Sequence, residues 1–78
     1  MKEVNILLNT IEKATNFVHL SNLAPFDIDI QSGRYLMDAK SIMGLFSIDL
    51  RNPLKLRIVS DDNKAIDRYL ESIKEYLA

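Results

Sequence analysis

Residues 26–38, FDIDIQSGRYLMD, constrain the fold most tightly. Phe26, Ile28 and Ile30 alternate with Asp27, Asp29 and Gln31, which is the period-two signature of a strand with one apolar and one wet face. Gln31-Ser32-Gly33-Arg34 is turn chemistry, and YLMDA (35–39) reads as the return strand of a hairpin. A strand that keeps polar residues on alternate positions belongs to an antiparallel sheet with one face in water. The other face must be covered by helices, which predicts a two-layer sandwich.

The other segments fit that frame. VNILL (4–8) sets Val4, Ile6 and Leu8 on one side of a first strand, and LKLRIVS (54–60) sets Leu54, Leu56 and Ile58 inward with Lys55 and Arg57 outward. NTIEKATNFVHLSNLA (9–24) reads as a helix with the apolar stripe Ile11, Ala14, Phe17 and Val18. Asn9 followed by Glu12 has the spacing of a capping box, with Asn in place of Ser or Thr, and Pro25 ends the helix. AKSIMGLFSIDL (39–50) reads as a short, very apolar helix. Ala65, Ile66, Tyr69, Leu70, Ile73, Tyr76 and Leu77 recur at helical spacing and define a last amphipathic helix starting near Asp61 or Asp62. The order is β-α-β-β-α-β-α. It predicts an α+β fold, with a four-stranded antiparallel sheet covered on one face by three helices and residues 1–78 forming a single domain.

Composition narrows the chemistry. A net charge of −1 without a basic block argues against nucleic acid. The absence of cysteine removes disulfides, thiolate chemistry and most structural zinc sites. His19 is the single histidine; with no cysteine to join it, only carboxylates remain as ligands, so no metal site is expected. Asp27 and Asp29 read as the wet face of a strand, and Asp61 and Asp62 as a cap and a favourable charge at a helix start. There is no Ser-His-Asp set, no Gly-rich phosphate loop and no H-E-x-x-H, so neither an enzyme nor a cofactor is expected. The start MKEVNILLN is too short and polar for a signal peptide, and no stretch is apolar enough to insert in a membrane; the expected location is cytoplasmic. These patterns do not specify an oligomeric state.

Lys40-Ser41-Ile42-Met43-Gly44 resembles the serine-site segment of HPr, the phosphocarrier of the bacterial sugar phosphotransferase system, and the order of elements is similar to that family's over nearly the whole chain. The resemblance implies an HPr-like open-faced sandwich. It also implies a second helix that packs on the sheet with one side and offers apolar side chains to protein partners with the other. Ile42, Met43 and Phe46 are the candidates for that partner-binding set, with Leu45 and Ile48 turned inward. An exposed apolar patch commonly marks an interaction site, and burial of the whole segment in the core is the competing reading. Ser41 resembles the regulatory serine that a dedicated kinase phosphorylates in some bacteria; serine is also a common helix N-cap.

The same resemblance exposes a departure. In HPr the phosphate is carried by a histidine opening the first helix. Counting back from Lys40 without gaps puts that position at Thr10, with Ala14 and Thr15 matching the family further on. Ile11 then replaces the alanine, Glu12 the arginine and Lys13 the proline, and the preceding glycine is absent. A threonine phosphoester is far harder to transfer than a phosphoramidate. A carboxylate at 12 repels phosphate where a guanidinium would bind it, and Lys13 offers only a point charge. His19 lies nine residues further along, about 13 Å by helix rise, out of reach of the first turn. The expectation is an HPr-like regulatory or protein-binding module without histidine phosphotransfer. The alternatives are a variant phosphocarrier with an unidentified acceptor, or a ferredoxin-like small-molecule-binding domain.

Overall fold

The structure, a computed structural model, describes residues 1–78. Strand β1 (Lys2–Ile6) is followed by α1 (Ile11–Asn22), β2 (Asp27–Ser32), β3 (Tyr35–Asp38), α2 (Ile42–Leu45), β4 (Leu54–Val59) and α3 (Asn63–Ser72), then a single 3-10 turn, Lys74–Tyr76. The four strands form one antiparallel sheet in the order β1-β4-β2-β3.

The register explains the two layers. Val4, Leu56, Ile30 and Met37 lie side by side across the sheet, flanked by Ile6 beside Leu54 and by Ile58 beside Ile28. All of these face the helices. The opposite face carries Glu3, Arg57, Asp29 and Asp38 in one row and Asn5, Lys55, Gln31 and Leu36 in the next. A slip of one residue would turn every apolar side chain to water, so the pattern fixes the pairing. Phe17, Leu45 and Ile73 are fully buried above the sheet, and the Phe17 ring meets Tyr76 edge-on at 6.1 Å.

The hairpin is as tight as the sequence suggests. Ser32 pairs with Tyr35, leaving Gly33 and Arg34 as the two turn residues. Gly33 has φ +60° while Arg34 keeps a negative φ, the II′ sense that matches strand twist and favours glycine first.

Several local boundaries differ from the sequence reading. The first strand spans Lys2–Ile6, yet Leu8 still enters the core. The cap of α1 is Thr10, with φ −130° and ψ 160°, and its Oγ1 accepts from the Lys13 N–H at 3.2 Å. Asn9 is instead drawn into the left-handed region at φ 72°, where its N–H donates to Leu50 O at 2.8 Å. The buried stripe of α1 is Ala14, Phe17, Val18 and Ser21, whereas Ile11 in the first turn is 63% exposed. The α-helical part of α2 is only four residues long. Gly44 is a weak helix former, and the Ser47 hydroxyl donates to Gly44 O at 2.7 Å, competing with continuation of the ladder. Leu77 leaves the helical pattern and bridges to Ile6 in antiparallel sense.

Candidate functional site

The first half of the site is the start of α1. Thr10 is exposed, and its N–H donates to Leu8 O at 2.8 Å. With Asn9 at φ 72° between them, this is a three-residue γ-turn of the rare positive-φ sense. Asn tolerates that region better than other non-glycine residues, but the turn still stores backbone strain. Glu12 and Lys13 are both exposed in the first turn, and neither forms an ion pair. The Asn9–Leu50 bond brings the loop after α2 against this turn. In that loop Arg51 Nε donates to Asp49 Oδ1 at 3.1 Å and Arg51 Nη2 to Asp49 Oδ2 at 3.1 Å. The Arg51 hydrogen bonds hold the Asp49 carboxyl below its usual pKa, and the same pairing raises that of Arg51. The one guanidinium in that loop is therefore already engaged by a carboxylate. His19 is exposed in the last turn of α1, at the far end of the helix from Thr10.

The second half is α2. Ser41 is exposed and caps it, accepting from the Gly44 N–H at a long 3.4 Å. The short helix splits by face. Leu45 is fully buried, and Ile42 and Ile48 are half-buried against the core. Met43 is 75% exposed and Phe46 49% exposed. Three contacts fix the entry to α2. Asn22 Nδ2 donates to Lys40 O, Lys40 Nζ donates to Ala24 O, and the Ser41 N–H donates to Asp38 O. The end of α1 and the end of β3 thus hold Ser41 in place. Ile11 is an exposed apolar residue that the periodicity assigns to the core stripe; its place in the first turn of the helix is the only sequence signal that separates it from Ala14 and Phe17.

No group of three or more His, Cys, Asp or Glu side chains is placed to hold a metal ion, and no helix is long and apolar enough to cross a membrane. A shallow cleft of about 410 Å³ opens between the end of α1 and α3, lined by Leu20, Leu23, Ala24, Pro25, Arg68 and Tyr69 among others.

No protein-family model matches the chain, and no curated protein matches its sequence. Solved structures do. HPr-C-His from Thermoanaerobacter tengcongensis is 29% identical, with 96% of this chain and 93% of that chain covered and a TM-score of 0.74. The phosphocarrier protein HPr from Bacillus anthracis str. Ames is 27% identical, with coverage of 99% and 94% and a TM-score of 0.71. The class is therefore that of the HPr phosphocarrier fold, over the full length of the chain. Within it, this chain is HPr-like, similar to these phosphocarriers in fold and in element order along nearly all of its length.

Proposed function

We propose that this protein is a regulatory or protein-binding member of the HPr-like family that does not carry phosphate on histidine. The observation that supports this is Thr10. It stands at the helix-opening position that the family gives to the phosphorylated histidine, and its hydroxyl is engaged as the N-cap of α1. Glu12 in the same first turn repels an anion, and Arg51, next in the chain to the Leu50 carbonyl that binds Asn9, is bound to Asp49. The partner-binding surface in this reading is Ile42, Met43 and Phe46 on α2, adjoining Ser41. A phosphate on the exposed Ser41 hydroxyl would put about two negative charges at the edge of that apolar patch, enough to switch a complex on or off.

The test is incubation with labelled phosphoenolpyruvate and the general phosphotransfer enzymes, with an ordinary HPr as positive control. The expected result is no acid-labile label on this chain. Label that is lost on His19→Ala would establish the alternative, a phosphocarrier of a variant kind. In parallel, an HPr serine kinase should label the protein, and Ser41→Ala should abolish that label.

A further inference from the structure

One sheet edge is covered by the chain itself. The Leu7 N–H donates to Tyr76 O at 2.8 Å and the Ala78 N–H to Asn5 O at 2.9 Å, so the C-terminal residues pair along the outer side of β1. The other edge, β3, has no strand beside it, and only the Ser41 N–H returns to it, at Asp38 O. Tyr35 is 71% exposed and Leu36 56% exposed on it. We propose that β3 is a self-association edge: two copies of this protein pair β3 with β3, antiparallel, about a two-fold axis at Leu36.

The hydrogen-bonding phase restricts the possible registers. The Ala39 N–H donates to Ile28 O at 2.9 Å, continuing the pairing in which Asp29 stands opposite Asp38. Residues of an antiparallel ladder alternate between bonding to the neighbour and facing away. The backbone of Tyr35, Met37 and Ala39 therefore points into the sheet, and that of Arg34, Leu36 and Asp38 points out. Asp38 O also accepts from the Ser41 N–H at 3.1 Å and retains its second lone pair. A second copy can bond only where outward residues meet outward residues.

Among those registers the side chains select one. Centred on Leu36, the pairing sets Leu36 against its counterpart, Tyr35 against Met37, and Arg34 against Asp38 twice. Shifting by two residues puts Arg34 against Leu36 in one direction and against Lys40 in the other. Only the centred register joins apolar to apolar and cation to anion.

The isolated chain leaves both charges without an ion pair, although Asp38 Oδ1 accepts from the Lys40 N–H at 2.9 Å. Asp38 stands directly across from Asp29, a like-charge pair that weakens a sheet, and Arg57 turns to Glu3 at 3.5 Å instead. Arg34 has no ion-pair partner. In the pair of copies each Arg34 meets the other copy's Asp38. Because the contact is isologous and β1 is partly covered, association closes at two copies. A four-residue edge is short, which puts the dimer in the weak, transient class, with a dissociation constant on the order of 0.1–1 mM.

The test is a dilution series from about 1 mM to about 10 µM followed by amide NMR shifts and sedimentation equilibrium. The expected result is a weight-average mass that rises to about 1.5–1.8 times the monomer at the highest concentration, with shifts concentrated at residues 34–38. R34D and D38R should each weaken association about tenfold or more, since each sets like charges face to face. An equimolar mixture of the two variants should associate again, because the mixed pair restores both opposite-charge contacts. Both positions are exposed, and circular dichroism checks that each variant is folded. A mass that stays monomeric at the highest concentration overturns the proposal. So do shifts centred on α2, single variants that associate like the parent, or a mixture that fails to recover.

Discussion

The Ser21 hydroxyl and the Tyr69 phenol stand 2.7 Å apart inside the core, and this bond ties the last turn of α1 to the middle of α3. Ser21 is the one fully buried polar side chain, and the Tyr69 ring packs edge-on to Phe26 at 5.7 Å. Each hydroxyl satisfies the other, so removing one strands its partner. Ser21→Ala and Tyr69→Phe should each lower stability by about 1–3 kcal/mol. The double variant should lose clearly less than the sum. Urea unfolding of all four proteins measures this, and strict additivity would show that the pair is not coupled.

The same phenol sets an alkaline limit. Burial pushes the Tyr69 pKa up to about 12, partly opposed by the Ser21 bond. An unfolded tyrosine ionises near pH 10, so the unfolded chain releases its proton first as pH rises. The Tyr69 contribution is intact below about pH 10 and is lost between about pH 10 and pH 12, at up to about 1.4 kcal/mol per pH unit. Urea midpoints between about pH 8 and pH 11 should fall more steeply for the parent than for Tyr69→Phe. Burial also raises the Tyr76 pKa, so some alkaline loss should persist in the variant.

The hairpin, β4 and α3 were legible because their periodicities are strict and their turn and cap residues are local. Gly33 and Asp62 act where sequence chemistry puts them, with Asp62 Oδ1 accepting from the Ala65 N–H at 3.2 Å. The start of α1 was not legible. Asn9 and Thr10 are both good caps, and the choice between them rests on the bond from Asn9 to Leu50, which is 41 residues away by 50 − 9. Ser21 hid the last position of the α1 stripe because its partner lies on another helix. At the candidate site the KSIMG motif located α2 and its cap. Which of its apolar side chains face water depends on packing against the sheet, which periodicity over four residues cannot encode.

The two glycines should respond in opposite directions. Gly33 sits at φ +60°, so Gly33→Ala should cost about 1–2 kcal/mol and loosen the hairpin. At Gly44 a Cβ would lie 3.6 Å from Met37 atoms, ordinary contact, inside a helical turn. Gly44→Ala should therefore stabilise by about 0.5–1 kcal/mol. Thermal melts distinguish the two, and destabilisation by Gly44→Ala would mean that α2 sits closer to β3 than described.

At the start of α1 the cap and the γ-turn should be separable. Thr10→Ala should cost about 0.5–2 kcal/mol by stranding the Lys13 N–H, and Thr10→Ser should recover most of it. Asn9→Ala should cost about 1–2 kcal/mol by forcing an alanine to φ 72°, while Asn9→Gly should be tolerated. Equal stability for Asn9→Ala and Asn9→Gly would show that the turn relaxes without loss.

Leu45 and Phe46 are adjacent in sequence but opposite in environment. Leu45 is fully buried, so Leu45→Ala should cost about 2–5 kcal/mol through lost burial and the cavity left behind. Phe46 keeps about half of its surface in water, and Phe46→Ala should cost much less, with loss confined to the buried half of the ring. Met43, three-quarters exposed, should be the most tolerant of the three. Urea unfolding gives the ranking. The functional consequence runs the other way: Met43→Ala and Phe46→Ala should weaken a protein complex formed through α2 while leaving the fold intact. If Phe46→Ala unfolds as readily as Leu45→Ala, the ring is a core element, and the proposed partner surface shrinks to Met43 and its immediate neighbours.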